Sequence, residues 1–145
     1  MRFHFEHRVD APIEAAFTFH GNPKHLALLF SDPTDFRILH HDGNIRVGST
    51  TWFEIRVACV VPVALGFVHT VYDPPIQFGE ELIHGPFSRF AHLHQFNPDG
   101  RGTIVHDLLD IVVSPQFGGE IATRLVVAPM IQRIFAARAR CLQRL

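Results

Sequence analysis

The chain has 145 residues, of which 47% are hydrophobic and 19% are charged, a composition typical of a globular protein and not of a disordered one. A chain of this length buries roughly two-thirds of the surface that its unfolded form exposes, so we expect a single domain over residues 1–145. The formal net charge is -1 with neutral histidines, which excludes a strongly basic nucleic-acid-binding surface, and 14 phenylalanines favour an apolar interior or cavity.

The first third of the chain predicts a strand followed by two short helices. Residues 2–9 alternate between apolar and polar side chains, which is the pattern of a half-buried strand. Asp10 is a candidate N-cap, and Pro12 suits the first turn of the helix that follows. The predicted elements of this part are a strand at 2–9, helices at 13–20 and 24–30, and a strand at 36–41.

From Gly48 onward, strands dominate the pattern, and we expect them at 49–60, 65–73, 77–84, 87–96 and 102–113. Pro62 and Pro74-Pro75 are interpreted as breaks between strands, because proline is rare inside a paired strand. Consecutive strands joined by short turns form an antiparallel meander. A long helix over about 119–144, with a kink predicted at Pro129, completes an α+β fold in which the sheet curls around the last helix.

The hairpin over residues 87–113 places polar side chains among apolar ones on a single face. Residues two apart in a strand share a face. This groups Phe90, His92, His94 and Phe96 on one strand with Thr103, Val105, Asp107 and Leu109 on the next. Pairing Phe96 with Thr103 would place His92 opposite Asp107, with Cβ atoms about 5 Å apart. Such a pair can bind a ligand in an apolar pocket, or it can be a buried pair that serves only the fold.

The last helix carries an apolar stripe, formed by Ile121, Leu125, Ala128, Phe135, Ala139 and Leu142. The half around residues 125–131 is apolar on almost every side, so we expect it to be covered all round. The sheet covers one side, and a second copy of the chain in a homodimer or a bound ligand could cover the rest. Arginines in the C-terminal half, Arg138 among them, are interpreted as cations that favour the helix C-terminus.

Seven short motifs in the same order resemble a known family. They are Ala11-Pro12-Ile13-Glu14 with Phe17, Gly48-Ser49-Thr50, Pro74-Pro75 with Phe78, Gly85-Pro86-Phe87, His92-Leu93-His94 with Phe96, Gly102-Thr103 with Asp107, and Ile134-Phe135 with Arg138. Together they resemble the START-like, or SRPBCC, superfamily, and most of all its small bacterial members of the polyketide cyclase/dehydrase type. The resemblance implies a helix-grip fold, in which a curved antiparallel sheet of about seven strands grips the C-terminal helix over a hydrophobic cavity.

The chain differs from the pattern of the START-like family at two positions. It has Phe90 where similar sequences tend to carry Trp, and Ile111 where they tend to carry Tyr. Both changes make the expected cavity more apolar. Members of the superfamily include carriers, hormone receptors, cyclases and dehydratases, so the resemblance implies a cavity and not one activity.

Two functions from different classes therefore stay open, together with a third in which the cavity is collapsed and the chain is an interaction protein. The first is binding or transport of a small hydrophobic molecule such as a lipid, a polyketide or an aromatic compound. The second is a cyclase or dehydratase in which His92 and Asp107 act as acid and base, with His94 and Glu81 as further candidates. The candidate ligand-binding residues are Glu81, Phe90, His92, His94, Phe96, Asp107, Leu109 and Leu125.

A metal centre is disfavoured, although His92 and His94 share a strand face and Asp107 or Glu81 could be a third ligand. The sequence accordingly predicts no metal and no cofactor. The N-terminal segment lacks the apolar core of a signal peptide, and the longest apolar run, Leu125 to Ile131, is too short to span a bilayer. We therefore expect a cytoplasmic protein with a small hydrophobic molecule as its partner and with no integral membrane segment.

Overall fold

A computed structural model describes residues 1–29, 36–57 and 61–143. The strands are β1 (Arg2–Val9), β2 (Phe36–His41), β3 (Thr50–Val57), β4 (Val61–Asp73), β5 (Gln77–His84), β6 (Phe87–Asp99) and β7 (Gly102–Val113). The helices are α1 (Ile13–His20), a 3₁₀ helix over Pro23–Leu29, a short 3₁₀ turn over Pro115–Phe117, α2 (Gly119–Ala122) and α3 (Ala128–Leu142), with a π-helical turn over Thr123–Val127 between the last two.

All seven strands form one curved antiparallel sheet in the order β1-β7-β6-β5-β4-β3-β2. Strands β2 to β7 are therefore a continuous meander, and β1 closes the sheet by pairing with β7. The helix that follows β7 lies against the inner face of this sheet, so the α+β helix-grip architecture is confirmed. Among the described residues, no helix combines the length and the apolar character needed to span a bilayer.

Three apolar clusters fill the space between the sheet and the helices. One surrounds α1 and includes Phe17, Phe78 and Phe96. The second joins β7 to the C-terminal helix through Ile111 and Phe135. The third, which includes Phe36, Ile55, Leu65 and Phe67, lies at the far end of the sheet.

The predicted start of α1 differs from the structure. Pro12 occupies the N-cap position, and the first turn has no side-chain cap. The carboxylate of Asp10 instead pairs with the guanidinium of Arg8. Pro12 itself explains why the helix can begin without a side-chain cap, because its fixed φ is already suited to the start of a helix.

Pro62 does not break the sheet as predicted. It lies within β4, where it pairs with Arg56 of β3. The ladder between β4 and β5 begins only at Gly66. At Pro62 the strand therefore has one neighbour, and a missing N–H can face away from it without loss of a ladder hydrogen bond. Residues 58–60, where the strand over 49–60 was expected to end, lie outside the described part of the chain, as do Phe30 and Arg144 at the predicted helix ends.

The C-terminal helix is interrupted just before Pro129, where a kink was predicted. The interruption is the π-helical turn over Thr123–Val127, and Pro129 lies in the first turn of α3. A π-turn adds a residue to one helical turn and so rotates the preceding part relative to the rest. The buried face of the helix consequently comprises Thr123, Val127, Ala128, Ile131, Phe135, Arg138 and Leu142.

Candidate functional site

A fully buried carboxylate, Asp107 of β7, is the centre of a polar cluster on the inner face of the sheet. Its Oδ1 atom accepts hydrogen bonds from Nε2 of His92 at 2.9 Å and from the guanidinium of Arg138 at 3.2 Å. Nδ1 of His94 lies 2.8 Å from the same oxygen, and Nδ1 of His7 lies 3.9 Å from Oδ2. Alternation in β1, β6 and β7 aims these side chains at one point, and α3 supplies Arg138 from the opposite side.

A second carboxylate, Glu80 of β5, extends the cluster across the sheet. Its Oε2 atom lies 3.2 Å from Nε2 of His69, and its Oε1 atom lies 3.7 Å from Nδ1 of His92. His69 is itself buried, and its Nδ1 lies 3.2 Å from the backbone oxygen of Ser49. His92 thus lies between two carboxylates, with one ring nitrogen directed at each.

Ser49, His69 and Glu80 have the composition of a nucleophile triad, but the hydroxyl is otherwise engaged. Oγ of Ser49 lies 3.1 Å from Nδ1 of His69. The same hydroxyl donates to the backbone oxygen of Arg46 at 2.8 Å and accepts from the backbone N–H of Arg46 at 3.1 Å. Its proton is therefore directed away from the imidazole, which is the arrangement of a turn residue and not of an activated nucleophile.

The charged groups of the cluster stabilise one another's ionised forms. Burial alone would raise the pKa of Asp107, but Arg138 and the imidazoles of His94 and His92 hold that pKa well below its usual range. Burial likewise opposes ionisation of Glu80, but the hydrogen bond from His69 and the nearby His92 and His94 lower its pKa to about 2. Both carboxylates are consequently negative at neutral pH.

Burial and nearby carboxylates shift the pKa values of the histidines in opposite directions. Burial is the main cause that lowers the pKa of His94 to about 4, in spite of its contact with Asp107. Burial also lowers the pKa of His7 to about 4. For His69, burial is again the largest single effect, but the hydrogen bond and charge of Glu80, the backbone of Ser49 and the charge of Asp42 together raise the pKa. At neutral pH His7 and His94 are therefore neutral, whereas His69 gains protons more readily than a free histidine.

A cavity of about 60 Å³ lies against this cluster, between the sheet and the C-terminal helix. One wall is aromatic and is formed by Phe53, Phe67 and Phe78. The other wall is polar and is formed by His69, Glu80, His92, His94 and Arg138. This volume accommodates about two water molecules and is much smaller than the roughly 300–1,000 Å³ of typical ligand pockets.

A much larger depression on the surface of the molecule lies next to the cavity. That depression, of about 1270 Å³, lies between α1, the 3₁₀ helix and the loop that joins β2 to β3. Four residues, Gly21, Pro23, His41 and Ile45, line both spaces. We call these four residues the portal, because they separate the interior cavity from the surface depression.

Comparison with solved structures shows the fold of the chain. No protein-family model matches the chain, and no curated protein matches it either. A structure from Thermus thermophilus covers 99% of this chain and 97% of its own, with a TM-score of 0.75 at 18% identity. A START superfamily protein from Mycobacterium smegmatis covers 99% of this chain and 97% of its own, with a TM-score of 0.73 at 15% identity. The chain has the START-like, or SRPBCC, fold.

A third neighbour is a norcoclaurine synthase from Thalictrum, solved as a point mutant in complex with a transition-state analogue. It matches with a TM-score of 0.70 at 19% identity, over 99% of this chain and 94% of its own. All three identities are below the level at which function can be transferred, so the START-like fold is what they share with this chain.

The START-like sheet places His92, His94 and Asp107 together, although the predicted register is shifted by two residues. His94 pairs with Asp107, and His92 pairs with Leu109. The hairpin turn lies at Gly100-Arg101, one residue beyond the centre that the predicted pairing implies, because β6 continues to Asp99. A shift of two residues preserves the face of every side chain, and His92 reaches Asp107 diagonally.

The face predicted for Glu81 is wrong. Glu81 pairs with Ala91 on the outer face of the sheet and is exposed, whereas Glu80 pairs with His92 on the inner face. The ladder between β5 and β6 ends at Glu81, so the connection across Gly85-Pro86 includes residues outside the regular pairing, and a face count carried through it from β6 fails. A change of one residue in register moves every side chain to the opposite face.

The predicted inward position of Leu125 is also wrong, because this side chain is 69% exposed. It lies in the π-helical turn, whose inward-facing residues are Thr123 and Val127. Ile121 and Val126 are exposed beside it. The apolar half of the helix is thus uncovered on its outer side, and the predicted homodimer stays a prediction.

The other predicted contacts are buried or half-buried but do not line the cavity. Phe96 packs beneath α1 against Phe17. Leu109 belongs to the cluster around Phe135, and Phe90 packs edge-on against the ring of Phe67. Their role in binding stays a prediction that depends on how far a ligand displaces these side chains.

Sequence reasoning missed Glu80, His69 and the inward position of Arg138. Glu80 alternates with Phe78 and Leu82, and His69 alternates with Phe67, so strand periodicity could have placed both on the inner face. Arg138 lies three residues after Phe135 and four before Leu142, on the same helical face. Helical spacing alone could therefore have identified it as a buried cation.

Proposed function

We propose that this protein binds a small, mainly apolar molecule that carries at least one hydrogen-bonding oxygen. The observation that supports this proposal is the two-sided cavity, in which aromatic rings face a wall of imidazole, carboxylate and guanidinium groups. Ligand sites are typically apolar with a few convergent polar groups that fix orientation. The START-like fold, which is known for small-molecule cavities, is consistent with it.

The cavity volume limits the part of the ligand that lies inside. At about 60 Å³ the space accepts the oxygen of a ligand and the atoms bonded directly to it. The apolar body then extends through the portal into the surface depression, which Phe17, Phe19 and Tyr72 help to line. A small aromatic or cyclic carbonyl compound fits a small interior cavity with an open depression outside it. A lipid, whose chain must be enclosed, fits this arrangement less well.

Three probes of similar shape test the proposal: p-cresol, acetophenone and toluene, each added to the protein in buffer containing EDTA. NMR titration should show that p-cresol and acetophenone bind about 3- to 10-fold more tightly than toluene, since one net hydrogen bond is worth about 0.5–1.5 kcal/mol. In the His92→Phe variant the three affinities should become similar. Native mass spectrometry of the purified chain then identifies a natural ligand by its mass.

The matched control is His106→Phe, which makes the same change on the outer face of the sheet, where His106 contacts His4. This variant should keep the preference for the two oxygen-bearing probes. Equal binding of toluene by the unmodified protein, or no binding of any probe, would overturn the proposal. A melting temperature close to that of the unmodified chain shows that His92→Phe is folded.

A second function, acid–base catalysis, is favoured by the position of His92 between Glu80 and Asp107. Asp107 accepts from Nε2 and so fixes the tautomer, which leaves Nδ1 to accept a proton on the cavity side. A base held in this way could remove a proton next to a carbonyl group, as a cyclase or dehydratase requires. The norcoclaurine synthase among the structural neighbours is an enzyme built on the same fold.

Deuterium incorporation into the methyl group of acetophenone in D₂O tests this second function. The unmodified protein should accelerate the exchange over buffer, and His92→Phe should abolish the acceleration while His106→Phe retains it. Exchange no faster than in buffer, in a protein that binds acetophenone, would leave binding as the function and reject catalysis of this kind.

A further inference from the structure

We propose that Glu80, His92 and His94 bind a divalent first-row transition metal ion, with Zn²⁺ as the expected ion. One ligand atom from each of these residues lies within 4.8 Å of the others. The three come from adjacent positions in two paired strands, since Glu80 is opposite His92 and His94 follows two residues later. The site does not depend on the organic ligand proposed above and can be tested without one.

The distances are close to those of an occupied site. Ligand atoms in a tetrahedral zinc centre are about 3.4 Å apart, from bond lengths of about 2.0–2.2 Å. Nδ1 of His92 and Oε1 of Glu80 are already 3.7 Å apart, and the rings of His92 and His94 have centroids 3.8 Å apart. To bind one ion, the three ligand atoms must approach from separations of at most 4.8 Å to about 3.4 Å.

Each proposed ligand has a charged or titratable neighbour close to one of its two candidate ligand atoms, on which the assignment of the other atom to the metal is based. Asp107 accepts from Nε2 of His92 and lies 2.8 Å from Nδ1 of His94. Nδ1 of His92 and Nε2 of His94 are therefore the ring nitrogens available to a metal. Glu80 is held through Oε2 by His69, which leaves Oε1. Carboxylate–histidine pairs of this kind orient metal-binding imidazoles and raise their basicity.

The contact between His92 and Glu80 suits a bound cation. Because Nε2 of His92 donates to a carboxylate, a neutral His92 presents the lone pair of Nδ1 toward Oε1 of Glu80. Two acceptors that face each other at 3.7 Å inside a protein repel unless a proton or a metal ion lies between them. A metal ion at this position would lie between the two ring nitrogens and the free oxygen of Glu80, where its charge is attracted by the carboxylate.

The set of two imidazoles and one carboxylate determines the class of metal. Mixed nitrogen and oxygen ligands of this kind suit Zn²⁺, Fe²⁺ and Co²⁺ and do not suit Ca²⁺ or Mg²⁺, which prefer oxygen. Three protein ligands leave at least one coordination position open, as in catalytic zinc sites. The cavity of about 60 Å³ lies on that side and has room for a metal-bound water.

Titration of the untagged, EDTA-treated and desalted protein with Co²⁺ tests the proposal. We expect one equivalent of Co²⁺ per chain, visible ligand-field absorption, and displacement of Co²⁺ by Zn²⁺. Zn²⁺ should raise the melting temperature of the unmodified protein. In Glu80→Gln and His94→Gln the affinity should fall at least about tenfold, because each variant removes one of three ligands.

Two controls separate this site from other histidines. Glu81→Gln changes the adjacent, exposed carboxylate and should leave the affinity unchanged. His4 and His106 form a second cluster with Glu6 on the outer face, so the double variant His4→Gln/His106→Gln removes that alternative and should also bind one Co²⁺. Binding that is lost in this double variant, or that keeps its full affinity in Glu80→Gln, would overturn the proposal.

A measurement on the unmodified chain keeps the test independent of how the variants fold. Paramagnetic NMR shifts caused by Co²⁺ identify the imidazoles that bind the ion. Shifts of the His92 and His94 rings would support the site. Shifts confined to His4 and His106, or the absence of stoichiometric binding, would reject it.

Discussion

Asp107 and Arg138 form an ion pair in which both side chains are almost completely buried, with an N–O distance of 3.2 Å. Asp107 is 0% exposed and Arg138 is 6% exposed. The pair joins β7 to α3 at the centre of the polar cluster. Two charges removed from water in this way require each other, because desolvation of an unpaired charge is far more costly than desolvation of a pair.

Removal of the cation should therefore destabilise the protein strongly. We expect Arg138→Met, which keeps the apolar stem, to lower the free energy of unfolding by about 3–5 kcal/mol, since Asp107 is left buried without its guanidinium. Urea denaturation measures this change. Arg133→Met, on the exposed side of the same helix, should change it by less than about 0.5 kcal/mol. Equal losses in the two variants would show that the ion pair does not stabilise the fold.

The pairing of His69 with Glu80 predicts a reversal in the titration of His69. Burial lowers the pKa of His69, but the hydrogen bond and charge of Glu80, helped by weaker contacts with Ser49 and Asp42, raise it overall. In Glu80→Gln only burial and weaker contacts remain, so the pKa of His69 should fall below the ordinary value of about 6.5. NMR titration of the imidazole in metal-free protein measures it. Glu81→Gln is the control, and a fall of the same size in that variant would contradict the assignment of Glu80 as the partner.

Much of this architecture follows from period-two alternation, which locates strands and groups their side chains by face. The grouping of His92, His94 and Asp107 on the inner face was correct even though the register was shifted by two residues, because an even shift preserves every face. Glu81 was placed on the wrong face because an odd shift moves every side chain to the opposite face. The irregular connection after β5 changes the count by one residue, and nothing local in the sequence reports that irregularity.

The helix and the charged cluster depend on contacts that local patterns do not contain. Leu125 belongs to an ideal helical stripe, but the π-turn before Pro129 rotates it outward. Arg138 resembles any arginine near a helix C-terminus until its partner, Asp107, is known, and that partner lies 31 residues away in the chain. Tertiary contacts therefore decide which residues form a buried polar cluster. Sequence periodicity can suggest these residues but does not determine them.

The portal predicts that access to the cavity is controlled by Ile45. This side chain lines both the cavity and the surface depression, and its Cδ1 atom lies 3.3 Å from the position that a Cβ atom on Gly21 would occupy. Ile45→Ala should widen the passage, so that p-cresol associates and dissociates faster while its dissociation constant changes little. NMR line-shape analysis measures both rates. Val47→Ala, in the same loop but exposed, is the control, and unchanged rates in Ile45→Ala would place the entrance elsewhere.

The buried histidines predict that stability falls as the pH is lowered from 7 to 5. Burial is the main cause that lowers the pKa of His7 and of His94 to about 4 and the pKa of His20 well below its usual value. Unfolded histidines titrate near a pKa of about 6.5, so below that pH the unfolded chain binds protons that the folded chain does not. Each group therefore removes up to about 1.4 kcal/mol of stability per pH unit, until the pH reaches its folded pKa.

His69 acts in the opposite direction, because its raised pKa adds stability as the pH falls. We expect a net loss of stability, because the lowered pKa values of His7, His20 and His94 all act against this one group. Glu80 and Asp107, whose pKa values are lowered, lose their contribution only below about pH 4, outside this range. Urea denaturation of metal-free protein at pH 7 and pH 5 measures the net effect. His20→Asn should reduce the pH dependence, because the amide can replace the ring nitrogen that donates to the backbone oxygen of Ala16 but does not titrate. A free energy of unfolding that stays constant or rises between pH 7 and pH 5 would show that these histidines are protonated in the folded protein.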